Sequence, residues 1–193
     1  YVIDSNTLTN QYSYAIYTSF VDFESVSYNN ISARTLNENT SWYGIRLYYS
    51  FTPKVIGNKV HSFSNQITYT HGMYLQNMND VVQSLVANNE VIITTGGAYY
   101  GIYCSNSNID FYHNSVLMLG KGAGRAFYLA NSTNNYTIKN NNFITLADAL
   151  SFPIYLASTS NIGTNWIINY NNYYSNGSYV GYAGANKASL AAW

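Results

Sequence analysis

The segment Val86-Ala-Asn-Asn89-Glu-Val91 contains the pattern that decides the fold. It consists of an apolar residue, two variable positions, Asn, one variable position and a second apolar residue. We recognise six copies along the 193-residue chain, with their Asn positions 29, 31, 25, 27 and 30 residues apart. These positions are Asn29, Asn58, Asn89, Asn114, Asn141 and Asn171. A repeat of this length indicates a solenoid in which each repeat forms one coil.

A second motif precedes each copy of the first by a similar distance. It contains an aromatic or basic residue, a small residue or Pro, an apolar residue, a variable position and usually Leu, as in Tyr43-Gly-Ile45-Arg-Leu47. The other copies begin at Tyr14, His71, Tyr100, Arg125 and Phe152. Alternation in the Tyr43 copy buries Ile45 and Leu47 and exposes Arg46, which is typical of a short strand with one buried face.

The two motifs in register predict an all-β fold, a parallel β-helix of about six coils of roughly 28 residues with three short strands each. No coil can bury its apolar face alone, but stacked coils form a continuous core. Successive parallel strands in such a stack are about 4.8 Å apart.

The repeated Asn has a structural explanation. The corner between two strands favours a residue that tolerates left-handed backbone geometry, and Asn accepts that geometry best after Gly. Its amide can also donate and accept hydrogen bonds along the stack. We therefore expect the six Asn residues to form a hydrogen-bonded ladder at this corner.

These residues resemble the right-handed parallel β-helices of the pectate-lyase-like superfamily, which carry an Asn ladder at the turn between their second and third sheets. The resemblance covers roughly residues 12–176. The segments Asn171-Asn-Tyr-Tyr-Ser-Asn-Gly, Val180-Gly-Tyr-Ala-Gly and Leu190-Ala-Ala-Trp193 are also similar to the end of β-helix regions in large secreted or surface proteins of polysaccharide-degrading bacteria. The resemblance implies a right-handed β-helix and a bacterial source. It specifies the fold much better than the activity.

The chain divides into a β-helix over residues 1–176 and a tail over residues 177–193. We expect Asn186 to cap a short helix that runs to Trp193 and covers the strand edges of the last coil. The opening Tyr1-Val-Ile-Asp4 resembles the middle of a coil, so we interpret the chain as a segment of a longer protein.

The composition excludes several classes of function. Charged residues make up 8% of the chain, against roughly a quarter in a typical domain. The formal net charge is zero, and eight scattered Lys and Arg residues do not predict nucleic-acid binding. No apolar run reaches the roughly 18 residues of a membrane span. Cys104 is the single cysteine, and we expect it to be a buried small hydrophobe.

Catalytic residues and cofactors are not predicted. In the superfamily that the chain resembles, a lyase needs carboxylates that bind calcium and a Lys or Arg that accepts the proton. A hydrolase of the same fold needs two or three Asp side chains close to one another. The acids occupy different coil positions, and so do His61, His71 and His113, so no metal site is expected. The acids are Asp4, Asp22, Glu24, Glu38, Asp80, Glu90, Asp110 and Asp148.

Three smaller patterns have structural interpretations. One local set combines acid, imidazole and base, but it is not predicted to be catalytic; its members are Asp110, His113, Lys121 and Arg125. The glycine-rich segment 120–125 joins two strands and is interpreted as a turn, because a phosphate loop would open a helix. Lys59 and Glu90 share a coil position, which predicts a surface ion pair worth less than about 1 kcal/mol.

The outward centre of the leading strand holds an aromatic row. Its members in successive coils are Tyr17, Arg46, Tyr74, Tyr103, Tyr128 and Tyr155. One interpretation is cross-strand stacking, with Arg46 packed on neighbouring rings. The other is a flat aromatic surface whose ring faces stack against sugar rings, or a face that binds a protein partner.

The sequence therefore predicts a non-catalytic module, secreted or on the cell surface, that offers an elongated surface to a polysaccharide or to another surface protein. It predicts no nucleic-acid partner and no membrane insertion. The alternatives are a segment of a polysaccharide lyase or glycoside hydrolase of the pectate-lyase-like fold, and a purely structural stalk.

Overall fold

The computed structural model describes residues 1–35, 41–51, 53–63, 69–79, 81–94, 98–120, 122–130, 133–147 and 150–192. In chain order its strands are β1 (Val2–Asp4), β2 (Thr7–Gln11), β3 (Tyr14–Ser19), β4 (Ser25–Ser27), β5 (Asn30–Ala33), β6 (Trp42–Tyr48), β7 (Lys54–Ile56), β8 (Lys59–Ser62), β9 (Tyr69–Gln76), β10 (Ser84–Ala87), β11 (Glu90–Ile93), β12 (Ala98–Ser105), β13 (Ile109–Tyr112), β14 (Ser115–Met118), β15 (Gly124–Leu129), β16 (Tyr136–Lys139), β17 (Asn142–Thr145), β18 (Phe152–Leu156), β19 (Trp166–Asn169), β20 (Asn172–Ser175), β21 (Gly181–Ala183) and β22 (Asn186–Lys187). One 3-10 helix follows at Leu190–Ala192.

Three sheets are built from every third strand. The first sheet has the order β1-β4-β7-β10-β13-β16-β19, and the second has the order β2-β5-β8-β11-β14-β17-β20. The third runs β3-β6-β9-β12-β15-β18-β21 and ends with β22. All neighbours in the three sheets pair in parallel except β21 and β22, which are antiparallel. The predicted β-solenoid is confirmed, with a period of about 28 residues and three strands per turn, and it has about five turns where the sequence predicted about six coils.

The apolar positions of both motifs form the core. In the second sheet, for example, Ile31, Val60, Val91, Val116 and Phe143 are in register and at most 1% exposed. Cys104 is also fully buried, and burial raises the pKa of its thiol to about 12. It is therefore the small buried hydrophobe that alternation predicts.

The Asn ladder is confirmed at the corner between the first and second sheets. These sheets hold the second and third strands of each coil when the coil is counted from its leading strand, which lies in the third sheet. The amide Nδ2 of each ladder residue donates to Oδ1 of the next at 2.9–3.0 Å, from Asn29 through to Asn171. The backbone N–H of each residue donates to the same Oδ1. Asn6 is a further member, because its Nδ2 donates to Asn29 Oδ1 at 2.9 Å. Its segment, Ile3-Asp-Ser-Asn6-Thr-Leu8, is a seventh copy of the first motif, in addition to the six recognised from the sequence.

The prediction that the ladder Asn itself adopts left-handed backbone geometry is wrong by one position. The residue with positive φ is the one immediately before each ladder Asn, and these residues are Ser5, Tyr28, Gly57, Asn88, His113, Asn140 and Tyr170, with φ of 55–68°. This residue turns the chain and leaves its own side chain outside the core. The following Asn then points inward, where its amide can join the ladder.

The tail differs from the expected helical cap. Strand β21 continues the third sheet beyond residue 176, and β22 folds back on β21. Asn186 lies in β22 and caps no helix, and the 3-10 helix Leu190–Ala192 is three residues long. Trp193 lies outside the described residues. No helix in the described part of the chain is long and apolar enough to cross a membrane.

Candidate binding surface

The outward face of the third sheet brings the predicted aromatic row together. Parallel pairing places its six members in direct succession, from Tyr17 on β3 to Tyr155 on β18. Tyr182 on β21 pairs with Tyr155 and adds a seventh position. We call these seven residues the tyrosine row.

A second row lies beside it on the same face, and strict alternation along the strands did not predict it as part of the surface. Its members are in register and are Tyr14, Tyr43, His71, Tyr100, Arg125 and Phe152. We call them the mixed row. The signal for this row was present in the sequence, because these residues are the first position of the second motif, which is aromatic or basic in every copy.

The two rows share one face because alternation is interrupted between them. In β6, Gly44 and Ile45 are both buried, so Tyr43 and Arg46 face outward although they are three residues apart. The interruption requires a small residue. A Cβ on Gly72, the equivalent residue in β9, would lie 2.3 Å from Val91 Cγ1 and 2.6 Å from Gly101 O. This accounts for the small residue in the second motif.

The rings of the tyrosine row stack on one another. Tyr74 and Tyr103 have centroids 4.5 Å apart and planes 2° apart. The stack continues through Tyr128 and Tyr155 at 5.2 Å per step and reaches Tyr182 at 4.3 Å. Each inner ring therefore covers the faces of its neighbours, and what remains for solvent is the ring edge and the hydroxyl.

The mixed row is stacked in the same way at its centre. His71 lies between Tyr43, with centroids 4.6 Å apart, and Tyr100, with centroids 5.0 Å apart. The two rows also meet edge to face, as in the His71–Tyr74 and Tyr100–Tyr103 pairs. The result is one continuous aromatic surface, two side chains wide.

Two guanidinium groups are embedded in this surface. Arg46 Cζ lies 5.1–5.7 Å from the centroids of four rings, and its Nη1 donates to Tyr14 Oη at 3.1 Å. Arg125 Cζ lies 4.7 Å from the Tyr155 centroid and also contacts two further rings. Cation–π attraction holds both groups in place. Neither arginine pairs with a carboxylate among the described residues.

Burial in this aromatic surface shifts the pKa values of His71 and of three tyrosines. Burial, with a smaller contribution from the Arg46 charge, lowers the pKa of His71 to about 3. Burial raises the pKa of Tyr74 to about 12 and also raises the pKa of Tyr128 and Tyr155. At neutral pH the imidazole is therefore uncharged and these phenols keep their protons.

The acids and remaining histidines do not gather at this surface. The described acids Asp4, Asp22, Glu24, Glu90 and Asp110 lie outside the third-sheet strands. The remaining acids, Glu38, Asp80 and Asp148, lie outside the described residues. Among the residues that the structure describes, no group of three or more His, Cys, Asp or Glu side chains could hold a metal ion.

The small acid–imidazole–base set of the sequence is dispersed. Asp110 is on β13 in the first sheet, where its Oδ1 accepts from Gln83 Nε2 at 3.0 Å. His113 is the exposed corner residue before Asn114, and Arg125 is on the third sheet. Lys121, which also belongs to the glycine-rich turn, lies outside the described residues.

The predicted ion pair at Glu90 has a different partner. Lys59 and Glu90 are in register on β8 and β11, but Glu90 Oε1 contacts His61 Nε2 at 2.7 Å. His61 is on the same strand as Lys59, two residues further along, so Glu90 reaches it diagonally across the sheet. The prediction of a Lys59–Glu90 pair is therefore wrong.

No protein-family model matches this chain, and no curated protein and no solved structure is significantly similar to it. The geometry of the described residues is therefore the starting point for any functional assignment.

Proposed function

We propose that this chain is a non-catalytic β-helix module of a secreted or cell-surface protein, and that the outward face of its third sheet binds a polysaccharide. The observation that carries the proposal is the pair of adjacent rows on that face, which present a phenol hydroxyl at every coil and guanidinium groups at two of them, from Arg46 and Arg125. Regular rows along the solenoid axis suit a linear ligand built from repeating units.

The contacts would be mainly hydrogen bonds. The inner ring faces of the tyrosine row are covered by neighbouring rings, so a sugar meets ring edges and hydroxyls. A phenol hydroxyl both donates and accepts, which matches the hydroxyl groups of a sugar. Burial raises the pKa of Tyr128 and Tyr155, so these hydroxyls keep their protons at neutral pH, whereas the Tyr74 hydroxyl already donates to Gln76 Oε1 at 3.0 Å.

Arg46 and Arg125 add positive charge to the surface. The third-sheet strands contain no Asp or Glu, so no carboxylate from these strands offsets the two guanidinium groups. Guanidinium donors bind carboxylates in a planar, two-bond geometry. This supports a ligand that carries some carboxylate groups, with binding that weakens as salt increases.

We also propose an evolutionary assignment. The chain would belong among the right-handed β-helices of the pectate-lyase-like superfamily and come from a polysaccharide-degrading bacterium. The ladder at the corner between the first and second sheets supports this placement. Fractionation of the source cells tests the location: recovery at the surface or in the medium supports it, and recovery in the cytosol contradicts it.

A glycan array tests the binding proposal. Wild-type protein should bind at least one polysaccharide, and Tyr103→Phe with Tyr128→Phe should weaken that binding because two hydroxyls are lost. The matched control is Tyr112→Phe with Tyr174→Phe, which removes two hydroxyls from the other two sheets and should leave binding unchanged. No binding by the wild type, or equal loss in both double variants, would contradict the proposal.

A further inference from the structure

Two neighbouring rings of the tyrosine row lie closer together than the others at its centre. Tyr74 and Tyr103, which pair on β9 and β12, have centroids 4.5 Å apart and planes 2° apart. The next step, from Tyr103 to Tyr128, is longer at 5.2 Å and is inclined by 9°. The Tyr74 hydroxyl contacts the Tyr103 hydroxyl and also donates to Gln76 Oε1 at 3.0 Å. The ring carbons next to the two hydroxyls are therefore neighbours.

This arrangement suits the oxidative coupling of phenols. Loss of one electron and of the hydroxyl proton converts a tyrosine into a phenoxyl radical, whose unpaired electron is shared with the carbons ortho to the oxygen. Two such radicals form a carbon–carbon bond between ortho carbons, and the product is dityrosine. In free solution the two rings must meet by diffusion, whereas the parallel pairing of β9 and β12 keeps Tyr74 beside Tyr103. A coupling step between groups held side by side is much faster than the same step between separate molecules.

The surroundings of the pair favour reaction at these two residues. Both side chains are half-buried on the outward face of the third sheet, so their hydroxyl-bearing edges remain accessible from solvent. Cys104, which directly follows Tyr103, is fully buried, and burial raises the pKa of its thiol to about 12. Since oxidation of cysteine needs an accessible thiolate, this thiol does not compete for the oxidant. Exposure alone would instead favour the corner residues Tyr28 and Tyr170, which are 64% and 80% exposed.

We propose that Tyr74 and Tyr103 form a site of oxidative modification, at which hydrogen peroxide and a haem peroxidase join the two rings as dityrosine. The peroxidase takes one electron from each phenol, and each hydroxyl proton is released. A bond then forms between one ortho carbon of each ring, and the hydrogen on each of these carbons moves to the phenolic oxygen. The pair loses two hydrogen atoms in total, and one hydrogen peroxide is reduced to two waters. This proposal does not depend on polysaccharide binding.

The cross-link joins one coil of the solenoid covalently to the next. Each coil of a solenoid contacts only its neighbours, so a bond between coils reinforces the contact on which the stability of the stack depends. A covalent cross-link also restricts the unfolded chain, as a disulfide does. We therefore expect the cross-linked protein to unfold at a higher urea concentration than the untreated protein.

Peptide mapping after oxidation tests the site. The full chain is treated with hydrogen peroxide and a haem peroxidase, and the monomer band from a denaturing gel is digested with trypsin and a Glu-specific protease. Cleavage at Lys, Arg and Glu places Tyr74 on peptide 60–90. Tyr103 falls on peptide 91–121, so the cross-link joins two peptides that are otherwise separate. We expect the joined peptides in the monomer, lighter than their sum by two hydrogen atoms. No joined peptides in the monomer, or dityrosine only in dimers, would overturn the proposal.

Two variants identify the reacting residue. Tyr103→Phe keeps the stacked ring but removes the phenol oxygen, so the joined peptides should disappear and oxidation should raise the urea midpoint less. The matched control is Tyr112→Phe, on the same peptide but in the first sheet, which should give the joined peptides at the wild-type yield. A link between Tyr155 and Tyr182, whose centroids are 4.3 Å apart, stays inside peptide 140–187 and does not affect this readout. An equal yield of joined peptides in the wild type and Tyr103→Phe would show that another tyrosine reacts and would contradict the assignment.

Discussion

The imidazole of His71 lies flat against the ring of Tyr43 in the preceding coil, with centroids 4.6 Å apart and planes 7° apart. Tyr100 covers the opposite face, and the side chain is 5% exposed. A protonated imidazole at this position would lose its hydration and would lie near the Arg46 guanidinium. For these two reasons, burial first and the Arg46 charge second, the pKa of His71 is about 3.

This shift predicts a loss of stability in acid. Between about pH 6.5 and pH 3 the unfolded chain binds a proton at His71 that the folded chain does not, so the free energy of unfolding falls as the pH falls. Between pH 7 and pH 4 the contribution from this residue should be a loss of about 3 kcal/mol.

Urea unfolding at pH 7 and pH 4 measures this loss. His71→Phe should show a smaller difference between the two pH values than the wild type, because it keeps a ring in the stack and removes the titrating group. His113→Asn at the exposed corner is the control and should behave like the wild type. The same difference in His71→Phe and the wild type would contradict the predicted coupling.

Asn114→Leu should strongly destabilise the fold. Asn114 accepts from the backbone N–H and Nδ2 of Asn89, and its own Nδ2 donates to Asn141 and to Val86 O. Leu would leave several of these buried groups without partners, at a cost of about 3–5 kcal/mol. Asn30→Leu, at an exposed strand position next to the ladder, should cost less than about 1 kcal/mol in the same unfolding measurement. Similar losses would argue against the ladder as a source of stability.

The corner residue before each ladder Asn should tolerate Gly and reject Val. Tyr170 has φ of 57° and is 80% exposed, so its side chain contributes little packing. We expect Tyr170→Gly to retain stability and Tyr170→Val to lose about 1–2 kcal/mol, because a β-branched residue is strained in the left-handed region. Tyr174→Val, on the exposed face of β20, should be neutral in thermal unfolding. Equal melting temperatures for all three variants would contradict the assignment of strain to this corner.

Arg46→Met should lower stability although Arg46 has no acidic partner among the described residues. The variant keeps an apolar stem and removes the charge that four tyrosine rings surround. We expect a loss of about 1 kcal/mol, measured by urea unfolding, from the cation–π contacts. Lys54→Met removes an exposed cation from the first sheet and should cost less. A loss no greater than that of Lys54→Met would show that the guanidinium adds nothing to the aromatic surface.

Sequence periodicity predicted most of the fold because a solenoid repeats the same steric problem in every coil. The apolar positions around Asn89, for example, must be buried in each repeat, and the ladder follows from the fixed position of the amide. The corner geometry was assigned one residue too late, since the pattern marks the inward Asn and does not show that Tyr28 or His113 turns the chain.

The surface was only partly predictable for a different reason. Register follows from repeat spacing, so the tyrosine row could be read from the sequence. The mixed row was missed because strict alternation places Tyr43 on the opposite face from Arg46, and the interruption at Gly44 depends on close packing against Val60. Side-chain torsions are not set by spacing, so the sequence could not show that Tyr103 is covered on both faces.

Calorimetric titration with the best polysaccharide from the array tests the central claim most directly. Tyr103→Ala with Tyr128→Ala should raise the Kd at least tenfold, because it removes two adjacent members of the tyrosine row. Tyr112→Ala with Tyr174→Ala should change the Kd less than twofold, with both double variants shown to be folded by circular dichroism. A Kd within twofold of the wild type for Tyr103→Ala with Tyr128→Ala would contradict polysaccharide binding by the third-sheet face.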